Sequence, residues 1–235
     1  MTRTPENSGP KNTAEKAARR KLMLERAKLQ GLEHFSDLEL LELLLRIARE
    51  PGDPAQLAQE LLDAFGTLKC VMDATPNQLM RATRLSERSI TLVSLMAPLS
   101  RRYELSVIGQ SRLRSSLDLQ RYCNVLLRDK KCSCFYMLGL RNGYNLAGQR
   151  LIASGSLRNV RLDPRSIAQA ALLLKTQRLV FCHNHPTGSC TPSDVEKLIA
   201  RFYRKQLREL DLELVDHIIV SDFESYSMAD HGDLF

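Results

Sequence analysis

The chain has 235 residues and a mass of 26.7 kDa, and at roughly 100–200 residues per domain it can form one large domain or two small ones. Its 43% hydrophobic and 26% charged residues are typical of a globular protein and exclude mostly disordered or fibrous classes. No stretch approaches the roughly 18 apolar residues of a membrane span, and the polar, basic first residues lack the apolar segment of a secretory signal. The sequence therefore predicts a cytoplasmic protein that is not integral to a membrane.

Charge is unevenly distributed along the chain. The net charge of +7 comes from 34 Lys and Arg against 27 Asp and Glu. Residues 1–30 hold eight basic against three acidic side chains, a balance of +5, whereas residues 31–66 hold two against eight, a balance of −6. A second basic stretch runs from Arg101 to Lys131. Such patches suit DNA or another polyanion, and they are equally typical of a solvated surface.

Cysteine usage points to buried thiols. The six cysteines include no CxxC pair, which argues against both a structural zinc knuckle and a common redox motif. Most are expected to act as small buried hydrophobic residues. The cysteines are Cys70, Cys123, Cys132, Cys134, Cys182 and Cys190.

The first half of the chain is predicted to be helical. Residues 1–14 are rich in Pro, Asn and Gly and are predicted to be a disordered tail, with helical character beginning near Thr13. Residues 15–103 are predicted to form a small all-helical domain, because helix caps precede runs with helical apolar spacing. The helices are expected after the cap Ser36, from Pro54 to the terminating Gly66, from Pro76 to Ala82 and from Glu87 to Tyr103.

Residues 104–235 change in character and are predicted to form an α/β or α+β domain. Short apolar runs bounded by turn residues indicate strands, and caps followed by proline indicate two helices, which begin at Asp163–Pro164 and Thr191–Pro192. The second helix carries an apolar stripe at helical spacing, which consists of Val195, Leu198, Ile199, Phe202 and Leu207. The predicted strands are Val125–Leu127, Cys134–Leu140, Leu179–Cys182 and Leu212–Val220.

His183 and His185 are the most informative residues for chemistry. They follow a predicted strand directly, and alternate residues of an extended segment point to one side, so the two imidazoles can converge on one metal ion. Asp194 or Glu196, in the first turns of the next helix, can supply a carboxylate and leave an open position for water. The same residues also suit a structural role, with the carboxylates stabilising a helix start.

The string from His183 to Glu196 resembles the JAMM metallopeptidase signature of MPN domains. The matching positions are His183, His185, Pro186, Ser193 and Glu196. The resemblance extends to the RadC-like family of bacterial proteins, through Pro164–Arg165, Asp216–Val220 and the helical segments Phe35–Arg46 and Leu57–Gly66. It implies an α+β protein, in which a helix-hairpin-helix-like domain precedes an α/β MPN/JAMM domain with a cytidine-deaminase-like fold.

The resemblance also implies a zinc-dependent hydrolase that acts on a peptide or isopeptide-like bond. His183 and His185 would bind zinc with an acidic third ligand, Ser193 would support the developing oxyanion, and an upstream Glu would act as general base on water. The sequence departs from this pattern twice. Glu196 stands where the family has Asp, and Arg150 or Gln149 stands where it has the upstream Glu. A catalytically impaired member is therefore expected.

Other residues near the motif leave alternatives open. Cys182 and Cys190 flank the histidines and are possible substitute thiolate ligands, although Cys182 should point to the opposite face of its strand. His217 is similar to a family position near the site and also suits a buried structural histidine.

A non-catalytic module that binds DNA or a protein partner in DNA repair is the competing function. In the helix-hairpin-helix resemblance, a glycine-containing turn brings backbone amides to a DNA phosphate, and here that turn is Arg84–Ser86, without glycine. Arg81, Arg84 and Arg88 are the candidate phosphate contacts, through their side chains. The turn can equally be structural. The sequence does not determine the oligomeric state, and an edge strand of the C-terminal sheet suits a dimer.

Overall fold

The computed structural model describes residues 10–128, 130–155, 163–186, 188–222 and 224–235. Within these ranges helices predominate up to Leu127, and the strands follow. The helices are α1 (Pro10–Gln30), α2 (Asp37–Ile47), α3 (Pro54–Phe65), α4 (Leu68–Asp73), α5 (Pro76–Ala82), α6 (Glu87–Gln110), α7 (Ser116–Leu127), α8 (Pro164–Leu174) and α9 (Asp194–Arg208). The strands are β1 (Ser133–Arg141), β2 (Asn145–Gly155), β3 (Arg178–Asn184), β4 (Glu213–Val220) and β5 (Ser225–Ser227).

The first compact unit extends to Ser100 and is helical throughout the residues described. Local sequence signals account for its helix starts: Ser36 and Thr75 form capping boxes with residues three positions later, and Asp53 caps α3 ahead of a proline. The apolar faces of these helices bury a common core. Its members include Leu41, Leu45, Leu61, Val71, Leu79, Ile90 and Val93.

Helix boundaries in this unit differ from the sequence prediction at both ends. Helix α1 begins at Pro10, inside the predicted disordered tail, and the rest of that tail lies outside the described residues. Proline is accepted in a first helical turn because its missing N–H has no helical partner there. Helix α6 continues to Gln110 instead of ending at Tyr103, and the division between the compact units falls inside it, between Ser100 and Arg101.

The second unit is built on a five-stranded sheet with the order β2-β1-β3-β4-β5. All neighbouring strands are antiparallel except β3 and β4, which are parallel. One face packs against α8 and α9 through a core that includes Phe135, Phe181, Ile167 and Ala200. The other face packs against α7 in a second core. Because side chains alternate along a strand, this two-sided cover explains why β3 is buried almost throughout.

Two parts of this unit contradict or extend the sequence prediction. Val125–Leu127 is not a strand but the last turn of α7, which begins with a capping box between Ser115 and Asp118. All three residues are buried in the helix, and a short buried apolar run does not distinguish a helix from a strand. The sequence also missed β2, an edge strand whose burial is mostly partial and which contains two glycines and one charged residue, Arg150.

Helix α9 starts later than the sequence predicted, and most of its predicted apolar stripe is exposed, with Leu207 as the buried member. Ser193 is the N-cap, so Thr191 and Pro192 precede the helix. Ala200 and Leu207 face the sheet core, whereas four other apolar residues of α9 are 44% to 65% exposed. These residues are Val195, Leu198, Ile199 and Phe202. Across all the described ranges, no helix combines the length and the apolar character needed to cross a membrane.

Candidate functional site

The end of β3 places the two histidines of the motif. His183 lies on the sheet face that packs against α8 and α9, in one row with Phe135 of β1 and Ile219 of β4. His185 follows the strand, and its backbone N–H donates to the carbonyl of Val220 at 2.8 Å, which keeps the segment extended. The extended backbone therefore carries both imidazoles to the same side, as the sequence predicted.

Glu196 reaches the histidines from the first turn of α9. It is the third residue of the helix and the partner of Ser193 in a capping box. Its Oε2 accepts hydrogen bonds from the backbone N–H of Ser193 at 2.8 Å and from the Ser193 hydroxyl at 2.6 Å. Its Oε1 is thereby turned toward the imidazoles. The Ser193 hydroxyl proton is used by Glu196, and the role of Ser193 in supporting an oxyanion stays a prediction.

Three ligand-type atoms meet in a compact triangle. Nε2 of His183 lies 3.1 Å from Nε2 of His185, and Oε1 of Glu196 lies 3.2 Å from the first nitrogen and 2.9 Å from the second. Within the described residues this is the one group of three His, Cys, Asp or Glu side chains close enough to share an ion. Helix α9 and strand β3 thus bring together the three predicted ligands.

The other ring nitrogens of both histidines are held by the protein. Nδ1 of His185 lies 2.8 Å from the carbonyl oxygen of Ser189, which can only accept a hydrogen bond. Nδ1 of His183 lies 2.8 Å from Nε2 of His217 on β4. With a proton on Nδ1 of each ligand histidine, both Nε2 atoms present lone pairs to the carboxylate oxygen. In this tautomer a metal ion can bind all three atoms, whereas an imidazole with its proton on Nε2 donates a hydrogen bond to Glu196 instead.

His217 is a residue near the site whose role the sequence left open. It is buried, and its ring packs edge-on against Phe135 and Phe181. Nδ1 of His217 has no hydrogen-bond partner among the described residues. A buried polar nitrogen without a partner destabilises the fold. The same ring nevertheless places its Nε2 against His183, one of the candidate ligands. The signal in the sequence was a histidine inside the apolar run of β4.

Burial and the shared carboxylate set the pKa values of the site. Burial lowers the pKa of His183 and lowers that of His217 further. The hydrogen bond to Glu196 raises the pKa of His185 above its ordinary 6.5. Burial would raise the pKa of Glu196, but the hydrogen bonds from His183, His185 and Ser193 outweigh it and hold that pKa well below its usual range. Glu196 is therefore ionised and His183 neutral near neutral pH.

The alternative ligands considered from the sequence lie elsewhere. Asp194 is exposed at the start of α9 and does not join the triangle. Cys182 points to the opposite face of the sheet, in the core beneath α7, as the alternation along β3 predicted. The Sγ atom of Cys190 lies 3.8 Å from a carboxylate oxygen of Glu224, and Cys190 is not part of the triangle either.

The two residues proposed for the position of the missing general base face opposite sides of the sheet. Gln149 accepts a hydrogen bond from the hydroxyl of Tyr122 on α7, so it lies away from the histidines. Arg150 pairs with Met137, whose side chain is on the histidine face, one row of side chains away from His183. Of the two, Arg150 therefore shares the face of the candidate ligands, where it places a positive charge.

The predicted DNA-contacting residues lie around the turn between α5 and α6. Arg81, Arg84 and Arg88 are all exposed. The turn itself is closed by an internal carboxylate: Glu50 accepts the backbone N–H of Ser86 at 3.0 Å and its hydroxyl at 2.6 Å. Glu50 is only 6% exposed. The Ser86 amide at the start of α6, where a phosphate would be expected to bind, already has an anionic partner.

Comparison with known proteins agrees with the fold and the motif. The family model of the RadC-like JAB domain matches residues 113–233. A "UPF0758 protein" of Pseudomonas fluorescens is 29% identical over 209 residues, which cover 88% of this chain and 93% of the relative. A "UPF0758 protein" of Shewanella amazonensis is 29% identical over 229 residues, with 97% and 96% covered. The match spans more than half of the chain and includes the whole histidine motif, and the chain belongs to the RadC-like JAB domain family.

Proposed function

We propose that this protein binds one zinc ion through Nε2 of His183, Nε2 of His185 and Oε1 of Glu196. The triangle of these three atoms carries the proposal, because a proton on Nδ1 of each histidine directs both Nε2 lone pairs toward Oε1 of Glu196. A His₂Glu set with an open fourth position is a known catalytic zinc type. JAB domains are often zinc-dependent hydrolases, which agrees with this donor set.

The spacing of the triangle suits a tetrahedral ion. With zinc bonds of about 2.0–2.1 Å, two ligands of a tetrahedron lie roughly 3.3 Å apart. The three separations here, 2.9 to 3.2 Å, are slightly shorter than this value. Glu196 has one methylene more than the Asp that the family has at this position. The capping box fixes this longer side chain, because Ser193 binds its Oε2 and leaves Oε1 facing the histidines. Small outward shifts of side chains therefore complete the site.

The reaction class that fits the site is hydrolysis of a peptide or isopeptide-like bond. Zinc held there supplies a Lewis acid for a carbonyl oxygen and lowers the pKa of water. The chain's own residues orient the ligands: His217 and the Ser189 carbonyl hold the imidazoles, and Ser193 holds the carboxylate. The upstream Glu that would act as general base is missing, and of the two residues predicted at its position, Arg150 is the one on the histidine face. Loss of such a base costs about 10²–10⁴ in rate, so the proposed enzyme is catalytically impaired.

Arg150 also supports a second candidate, a non-catalytic MPN module that binds DNA or a protein partner, in DNA repair for example. A guanidinium on the histidine face favours an anionic ligand over an attacking water. The exposed Arg81, Arg84 and Arg88 offer phosphate contacts outside the sheet domain. If they contact DNA, replacing all three with Ala should flatten the salt dependence of affinity by up to about 2.7 units of slope.

Metal content tests the zinc proposal directly. Protein purified without a metal-affinity tag should contain about one zinc per chain by elemental analysis. The double variant His183→Ala/His185→Ala should contain none, and the matched control His34→Ala, which removes an exposed histidine elsewhere, should retain it. A metal-free wild type that also fails to take up added zinc would refute the proposal. The search for a DNA or protein partner by binding experiments would then replace activity assays.

A further inference from the structure

A second cluster of reactive side chains lies at the start of β1. Cys132 is exposed, Cys134 is buried, and their sulfur atoms are 3.7 Å apart. Cys123 and Cys182 also contact each other, but both are completely buried in the core beneath α7. Among the six cysteines, Cys132 and Cys134 therefore form the contacting pair that a small molecule in solution can reach.

We propose that Cys132 and Cys134 are an oxidisable thiol pair that low-molecular-weight disulfides convert to an intrachain disulfide. The exposed Cys132 thiolate attacks one sulfur of the small disulfide, forms a mixed disulfide and releases one small thiolate. Cys134 then loses its proton and attacks the Cys132 sulfur, which releases the second small thiolate. The two protein thiols lose two protons and two electrons, and the small disulfide is reduced to two thiols.

The geometry favours closure through the exposed partner. A disulfide needs a sulfur–sulfur distance of about 2.05 Å, so the two sulfurs must approach by somewhat less than 2 Å, and the Cys132 side chain is exposed at the surface. Burial raises the pKa of the Cys134 thiol, which makes Cys134 the resolving partner and not the attacking one. With only one residue between the cysteines the ring is small, so we expect the bond to be easily reduced.

The thiol pair is connected to the histidines through Asn184. The side-chain oxygen of Asn184 accepts the backbone N–H of Cys134 at 2.7 Å, and its amide nitrogen donates to the carbonyls of Cys132 and Lys130 at 3.2 and 3.0 Å. Asn184 is 4% exposed and lies between His183 and His185 in the chain. A disulfide changes the backbone torsions of residues 132–134, so it strains the contacts of Asn184. Oxidation should therefore weaken the zinc site, a consequence that rests on the proposed function.

Mass spectrometry of the full chain tests the thiol pair. The protein is treated with oxidised glutathione, remaining thiols are alkylated, and trypsin then releases Cys132–Arg141 as one peptide, because cleavage follows Lys131 and Arg141. We expect this peptide to lose two hydrogen atoms in mass, to take up no alkylating label and to regain both thiols with a dithiol reductant. A doubly alkylated peptide, a persistent glutathione adduct or a disulfide between two chains would each overturn the proposal.

Two variants serve as controls. In Cys132→Ser the remaining Cys134 should stay reduced, because it is buried. In Cys123→Ser, which removes one member of the buried pair, Cys132 and Cys134 should still oxidise as in the wild type. Failure of the second control would mean that the buried pair takes part in the exchange, which contradicts the assignment.

Zinc affinity of the reduced and oxidised chains tests the connection to the histidines. We expect oxidation to lower the affinity by roughly 10-fold, the low end for loss of an outer contact, and to leave Cys132→Ser unaffected. Equal affinities for the reduced and oxidised wild type would refute the role of Asn184 and leave the thiol pair intact. Absence of zinc binding in both forms would refute the proposed function and the effect of oxidation on zinc affinity. Mass spectrometry would still show whether Cys132 and Cys134 form a disulfide.

Discussion

The turn between α5 and α6 and the end of β3 are both places where the sequence predicts a ligand, and their polar groups are satisfied in opposite ways. At the turn, the N–H and hydroxyl of Ser86 are bound by the buried carboxylate of Glu50. At the strand end, Nε2 of His183 and Nε2 of His185 point at each other and at a carboxylate oxygen, and neighbouring groups hold their remaining nitrogens.

The difference shows which of the two places has polar groups that remain available to bind an external ligand. Buried polar groups are nearly always paired, so a group that the chain pairs internally gains little from a ligand. Glu50 gives the Ser86 amide such an internal partner. The histidines instead converge with Glu196 on a position where one metal ion can bind all three side chains.

Substitution of Arg150 is expected to give the largest gain in hydrolytic activity. Arg150→Glu restores an acid on the histidine face, and a general base contributes about 10²–10⁴ in rate. We therefore expect chelator-sensitive hydrolysis of fluorogenic peptide or isopeptide substrates to rise by a factor in that range over the wild type. Arg150→Gln is the matched control, since it removes the positive charge without adding a base. Equal activity of the two variants would show that a base at this position is not what the site lacks.

Glu196 serves the ligand triangle and the helix cap, and two substitutions separate these roles. Glu196→Gln keeps a side chain that can form a capping box, but it removes the charge from the third ligand. Zinc affinity should fall by more than the roughly 10–100-fold lost with an outer-shell partner, with little change in thermal stability. Glu196→Ala should also lose about 1 kcal/mol of unfolding free energy with the cap. Full zinc affinity in Glu196→Gln would exclude the carboxylate as a ligand.

His217 tests whether orientation of His183 matters for the metal. His217→Phe keeps an aromatic ring in the pocket of Phe135 and Phe181, and it removes both the Nε2 acceptor and the unpartnered Nδ1. We expect a roughly 10–100-fold loss in zinc affinity, measured by competition with a chelator. Thermal stability of the metal-free protein should stay equal or rise, because a buried unpaired group is removed. His217→Gln, which keeps an acceptor, should recover part of the affinity; a purely structural histidine would leave affinity unchanged.

Substitution of Glu50 is expected to have the smallest effect, and it tests the turn between α5 and α6. Glu50→Ala leaves the Ser86 N–H and hydroxyl without their partner, so the unfolding free energy should fall by about 1–3 kcal/mol in chemical denaturation. Glu50→Gln keeps an acceptor and should fall less. A DNA affinity that rises in Glu50→Ala would show that the internal carboxylate blocks a phosphate position. Unchanged stability in both variants would mean that the contact at the turn contributes nothing.

The local parts of the site can be predicted from the sequence, whereas the parts that depend on the register between strands cannot. The spacing of His183 and His185 after an apolar run, with a carboxylate near the next helix start, was sufficient to propose three ligands that the fold brings together. The contact of His217 with His183 depends on the parallel pairing of β3 and β4, which places Phe181 opposite His217. Nothing local to either strand specifies that register.

The missed elements of the fold have similar physical causes. The last three residues of α7, Val125–Leu127, are all buried, so this run lacks the polar side that marks an amphipathic helix. Strand β2 is an edge strand with an irregular burial pattern and two register shifts against β1, which removes the regular alternation of a strand. In α9 the capping box of Ser193 and Glu196 determines the start, overriding the Thr–Pro signal that precedes it.

The two oxygens of Glu196 connect the state of the site to the backbone of α9. Oε2 binds the Ser193 amide while Oε1 faces the imidazoles. A cation that fixes Oε1 also restrains Oε2, so opening of the first helical turn becomes rarer. Amide hydrogen exchange at Ser193 should therefore slow when the site is filled. This one amide can report occupancy in the intact protein, even before any substrate is known.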